Sequence, residues 1–307
     1  ASLVPVGTVA LRIALLGGVC LAATGLAVFH LAHRLEGAVL ARGPLPPHAG
    51  AVTALVSMSA AWGATLGVAS MRQATRVEVY ALALALCVGV LAVLCAPSLS
   101  RAARVRLAVV LLGLAGCNHT FIALTAMPAA LALIALDLWR DAPRARRFVL
   151  AALPLAALSL VPYLLLPLRA RAAASLVRVN TFGDFVWTVT ARTFQKNVGG
   201  GGVGTFSEHL LACVDWAGRS LTPLTLAAAF AGLALGLWRW RGRSTARDMA
   251  LVLGGTVALS FTARAALGFV ADNPDAAGYL APAIALLAVL AAALPASVWR
   301  ALVLAPP

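Results

Sequence analysis

The chain has 307 residues, of which 62% are hydrophobic and 11% charged, and its formal charge is +14. A mean hydropathy of +0.94 with so few charges excludes an ordinary soluble domain, in which about 25% of residues are charged. The basic residues lie mainly in short connections between apolar runs, where they set orientation in a membrane, and nucleic-acid binding is excluded with them.

Apolar runs long enough to cross roughly 30 Å of hydrocarbon recur along the chain, without the alternation of barrel strands. The expected fold is all-α, a polytopic transmembrane helical bundle forming a single domain over residues 1–307. About nine spans are expected, near 9–31, 50–71, 78–96, 106–118, 120–138, 148–167, 221–238, 248–270 and 279–299. Val105 to Trp139 is one apolar stretch interrupted only by Asn118, His119 and Thr120. It is too long for one steep helix and reads as two helices joined by a tight turn at Asn118-His119.

With that break the connections sort by charge. Arg34 and Arg42, Arg101 to Arg106, Arg140 to Arg147, Arg239 to Arg247 and Arg300 fall on one face, which the positive-inside rule makes cytoplasmic. The other face receives Arg72 and Arg76, the Asn118-His119 turn, the 168–220 segment and the connection from Asp272 to Asp275. Residue 1 then starts outside, so an upstream span is expected. Ala1 in place of Met agrees with a fragment or processed form. The cysteines Cys20, Cys87, Cys95, Cys117 and Cys213 lack metal-type spacing and read as small apolar residues; neither a metal nor another cofactor is expected.

The outer face holds the polar candidates. Glu78 opens the third span, and reads equally as a helix cap countered by Arg76 or as a site carboxylate. Asn118 and His119 form a polar turn that lines whatever cavity the flanking helices frame. Arg12 reads as a snorkelling residue. Arg264 lies deeper in its span, where a guanidinium wants a lipid phosphate or a carboxylate such as Asp275. The 168–220 segment is an outer-face loop in which Phe182, Phe185, Val186, Trp187, Val189 and Phe194 recur at near-helical spacing, as in an interfacial helix. Gly199 to Gly202 reads as a flexible connection, without the context of a phosphate loop. Asp272 and Asp275 read as an acid-base pair, as a cation-binding pair or, more simply, as a solvated loop.

Several of these residues recur together in order. They are Gln73-Ala74 with Glu78-Val79-Tyr80-Ala81-Leu82, Gly113-Leu114 with Asn118-His119 and Pro128, Pro167-Leu168-Arg169 with Asn180, Gly183-Asp184 and Phe185 to Phe194, then Asp275, Tyr279 and Pro282. As a set they resemble a membrane family long labelled a domain of unknown function. Its eukaryotic members include a transmembrane O-mannosyltransferase acting on receptor ectodomains, and it is similar to the glycosyltransferase-C superfamily. The resemblance implies a membrane enzyme moving a sugar from a polyprenyl-phosphate carrier to a protein or glycan acceptor on the outer face. It implies Glu78, Tyr80, Asn118, His119, Arg169 and Asp275 as substrate-binding positions. Arg169 and Arg264 are the candidates for the lipid phosphate, Arg264 on burial alone. The family's acidic outer loop, where the catalytic base is expected, has no counterpart here; His48 follows Pro46-Pro47 but falls in a cytoplasmic connection. The base is therefore expected upstream of Ala1. Alanine-rich, lysine-poor composition and short connections point to a bacterial inner membrane, with the site facing the periplasm or exterior. A transporter or flippase of lipid-linked sugars, or a non-catalytic assembly subunit, are the alternative readings.

Overall fold

The computed structural model describes residues 8–41, 48–75, 79–139, 142–169, 179–190, 192, 204–239, 245–270 and 273–303. Helices follow one another as α1 (Val9–Leu40), α2 (Ala49–Leu66), α3 (Val68–Ala74), α4 (Tyr80–Leu94), α5 (Arg101–Trp139), α6 (Ala142–Ser159), a 3-10 turn (Val161–Leu164), α7 (Leu165–Arg169), α8 (Phe182–Val189), α9 (Phe206–Leu221), α10 (Pro223–Arg239), α11 (Thr245–Ala266) and α12 (Pro274–Val303). No strand occurs among the described residues, as expected where every backbone group must be satisfied within its own segment.

Among the described residues, six helices are long and apolar enough to cross a bilayer, and a seventh span is available if α9 and α10, bent by 110°, act as one. Helix α4, with 15 residues, is shorter than the usual spanning length of about 20. The sequence count of about nine differs because it admits α4 and divides α5 in two. Helix α12 is central, with 83% of its most apolar window buried, against 11% for Ala151–Leu168. It packs against α1, α2, α10 and α11.

Helix α5 is broken at His119, whose backbone is extended (φ −155, ψ 93). Ala108, before the break, and Ala130, after it, belong to one buried cluster with Val90 of α4. A continuous helix would hold Ala108 and Ala130 about 33 Å apart, so the limbs fold back on each other and clasp α4 between them. The break leaves helix carbonyls without intrahelical donors. Gly116 O accepts from the Tyr163 hydroxyl at 2.7 Å and from Thr120 Oγ1 at 3.1 Å, while the Asn118 amide donates to Val79 O at 2.8 Å. The expected turn at Asn118-His119 is thus present, with Gly116 O and the Asn118 amide hydrogen-bonded inside the protein.

At the end of the bundle remote from this turn, arginines close helix carboxy termini. Arg34 Nε donates to Cys95 O (3.2 Å), Arg104 Nη1 to Ala96 O (3.4 Å) and Arg300 Nη1 to Val39 O (2.6 Å). A cation there also meets the negative end of the helix dipole. His48 belongs to the same end, where it precedes α2 in a left-handed conformation (φ 61).

Of the segment read as a loop over 168–220, Phe182–Val189 is helical, within the stretch expected to form a helix, and Phe206–Leu221 is a further helix. Both begin with a capping box. In α8 the Asp184 carboxylate accepts from Thr181 N at 2.9 Å and Asn180 N at 3.1 Å. These bonds hold its pKa below the usual carboxylate value. Gly199 to Gly202 lie outside the described residues.

Two outcomes are expected. Gly232 lies so close to α12 that a Cβ would come within 2.6 Å of Leu290 O, whereas a Cβ at Gly255 meets nothing within 4 Å. In detergent, Gly232→Ala lowers stability by about 1–3 kcal/mol, and Gly255→Ala is neutral or stabilising by up to about 1 kcal/mol; equal melting temperatures would contradict this packing. Because the Asp184 pKa is lowered on folding, its contribution to α8 is present above the unfolded value and is lost as pH falls through the folded one. Hydrogen exchange at residues 181–185 accelerates in that acidic window, and exchange indifferent to pH after correction for the intrinsic rate would refute the cap.

Candidate functional site

The sequence gathers its polar residues near helix ends, and the fold brings four of those ends together. Tyr80 opens α4, His119 interrupts α5, Arg264 lies in the last turn of α11, and Tyr279 stands early in α12. The rings touch pairwise: Tyr80 and His119 have centroids 5.2 Å apart, Tyr80 and Tyr279 5.7 Å, and His119 and Tyr279 5.1 Å. Phe121 meets Tyr279 edge-on at 5.2 Å. Edge-to-face contacts at these separations are favourable and fix ring orientation. Glycine makes the approach possible, since a Cβ at Gly278 would lie 2.7 Å from the Tyr80 ring.

Arg264 sits over the Tyr279 ring, 5.3 Å from its centroid, and Nη2 donates to Gly268 O at 2.9 Å. Its Nε is buried without a hydrogen-bond partner, as is His119 Nδ1. A buried guanidinium with a spare donor attracts an anion, and no carboxylate pairs with it among the described residues. The Asp275 partner considered for Arg264 is therefore not an ion pair of this site. Asp275 instead lies exposed in the first turn of α12, one turn before Tyr279, where its charge reaches His119.

Of the positions expected from the sequence, Tyr80, Asn118, His119 and Arg264 converge, with Asp275 at the edge. Glu78 lies outside the described residues. Arg169 ends α7, and its side chain is not described. Tyr279 was visible only as a motif residue, and Phe121 not at all; neither carries a spacing signal, because their partners lie on other helices. Trp216 and Cys213 of α9 are buried near the same end, with Arg72 over the Trp216 ring at 5.8 Å.

Chemically, the cluster offers aromatic faces, two phenol hydroxyls, an imidazole nitrogen without a partner and a half-buried cation. That combination can hold a ring with apolar faces and polar edges beside an anionic oxygen.

No curated protein and no solved structure matches the chain. The family match covers α1 to α5, and with them Tyr80, Asn118 and His119, while Arg264, Asp275 and Tyr279 lie beyond it. Residues 1–142 match the family described as the Protein O-mannosyl-transferase TMEM260 N-terminal domain, so this part of the chain is similar to that domain and the O-mannosyltransferase resemblance read from its motifs is shown.

Proposed function

We propose that this is a membrane glycosyltransferase of the protein O-mannosyltransferase type, with a glycosyltransferase-C-like fold. It takes a sugar from a polyprenyl-phosphate carrier and transfers it to a protein or glycan acceptor. The carrying observation is the convergence of Tyr80, His119, Arg264 and Tyr279, from α4, α5, α11 and α12, at one end of an apolar bundle. The arginine-capped opposite end supports a cytoplasmic assignment for that end and a periplasmic or exterior one for the cluster.

In this reading the sugar lies against Tyr80 and Tyr279. The departing lipid phosphate gains negative charge in the transition state, and Arg264 is placed to stabilise it with its free donor. His119 and Asn118 orient the donor or acceptor hydroxyls, with Asp275 at the rim of the site; Glu78 and Arg169 are proposed as further substrate-binding residues. The acceptor hydroxyl loses its proton to a carboxylate, a role this reading leaves to a group other than the convergent residues.

Transfer of labelled sugar from a polyprenyl-phosphate donor to an acceptor peptide in membranes tests the assignment. Arg264→Gln is expected to reduce turnover by about 100-fold, the cost of removing one preorganised charge-stabilising donor. Arg264→Lys retains the charge, loses the fork, and falls between the two. His119→Ala and Glu78→Gln each lower transfer by about tenfold or more with membrane insertion unchanged. Wild-type turnover in Arg264→Gln together with His119→Ala would remove the cluster from the reaction.

A further inference from the structure

Helix α9 contributes a residue that the proposed reaction leaves unassigned. His209 lies at the end of its first turn, where the Thr205 capping box fixes the backbone: Thr205 Oγ1 accepts from Glu208 N at 3.3 Å, and Glu208 Oε2 accepts from Thr205 N at 2.6 Å. The imidazole reaches across to the connection between α11 and α12, and its Nδ1 lies 3.0 Å from Phe269 O. A carbonyl oxygen only accepts, so Nδ1 carries the proton and donates. On the other edge of the ring, Gly204 comes so close that a Cβ there would lie 3.2 Å from Cε1 and from Nε2. The ring is therefore held in one orientation from both sides.

What His209 holds is the turn on which Arg264 rests. Helix α11 ends with Leu267 N donating to Ala263 O and Gly268 N to Ala265 O, both at 3.1 Å, and Gly268 is left-handed (φ 79). Gly268 O then accepts from Arg264 Nη2 at 2.9 Å, and the next carbonyl along the chain is the one bound by His209. Glycine adopts this conformation without steric cost and leaves it as easily. The Gly268 carbonyl is therefore fixed by its neighbour: Phe269 is 2% exposed within the main core cluster, and its oxygen is bound to α9.

Among the described residues the Arg264 guanidinium has one hydrogen bond, to Gly268 O, and rests on the Tyr279 ring. A charged donor stabilises a developing anion best when its orientation is set before the reaction. We infer that His209 is a positioning residue for the transfer: by holding Phe269 O it sets the turn after α11, and so the direction in which Arg264 presents its guanidinium to the departing phosphate. The inference rests on the role proposed above for Arg264. His209 acts through that arginine rather than by contact with the substrate.

Sugar transfer in membranes and thermal melting in detergent are measured for substitutions of His209, alone and combined with Arg264→Gln. His209→Phe keeps a ring and removes the donor; turnover is expected to fall about tenfold, the scale of one hydrogen bond, with KM for the acceptor within about twofold of the wild type. His209→Asn places an amide N–H close to the position of Nδ1 and retains turnover within about twofold, whereas His209→Gln, whose amide reaches the position of Nε2, falls as far as His209→Phe. Because His209 acts through Arg264, adding His209→Phe to Arg264→Gln costs less than about twofold more. A loss that multiplies in the double variant, or equal turnover in His209→Asn and His209→Gln, overturns the inference, and the second comparison decides it if His209→Phe does not fold. Wild-type turnover in His209→Phe beside an impaired Arg264→Gln overturns this inference alone; wild-type turnover in Arg264→Gln overturns the role of Arg264 and the inference together.

Discussion

The break at His119 is the constraint on which the rest of the molecule depends. In an apolar surrounding an unsatisfied carbonyl costs several kcal/mol, so a helix can turn back at membrane depth only where other groups take over its hydrogen bonds. The Tyr163 and Thr120 hydroxyls do this at Gly116 O, and the Asn118 amide ties the break to Val79 O at the start of α4. Once the limbs of α5 fold around α4, the His119 ring meets the first residue of α4, and Tyr279 completes the contact from α12. Without the reversal His119 would continue a long helix and Tyr80 would face lipid or empty space.

The two ends of the bundle differ in kind. At one, aromatic rings and a buried guanidinium pack closely because Gly278 removes the side chain that would keep α12 from Tyr80. At the other, Arg34, Arg104 and Arg300 donate to backbone carbonyls at or just beyond helix ends, so basic side chains there close the helices. Between them α12 supplies a column of small and aliphatic residues, including Ala281, Ala285 and Ala288, against which its neighbours approach.

Much of this was legible in the sequence, for definite reasons. The helices follow from apolar runs, and the turn at Asn118-His119 from three polar residues in a stretch too long for one span. The convergence of Tyr80 with His119 was carried by motif order. Tyr279, Phe121 and His209 were hidden because their significance rests on contacts between elements, which spacing along one helix does not encode. Span length was misjudged where helices continue past the membrane-crossing segment: α1 reaches Leu40 rather than residue 31, because Arg34 and Glu36 find partners on α4 and α2. Helix α9 was absorbed into a loop since its Glu208, Asp215 and Arg219 lower its hydropathy, although the Thr205 capping box marks its start.

The distance across α5 tests the reversal most directly. Spin labels at Ala103 and Ala135, placed symmetrically about His119 in the purified protein, report it by pulsed electron resonance. Limbs folded against α4 lie within roughly two interhelical spacings, about 20 Å, before the reach of the labels is added. A distribution centred near 48 Å, the length of an unbroken helix between those residues, would contradict the fold-back and, with it, the assembled site.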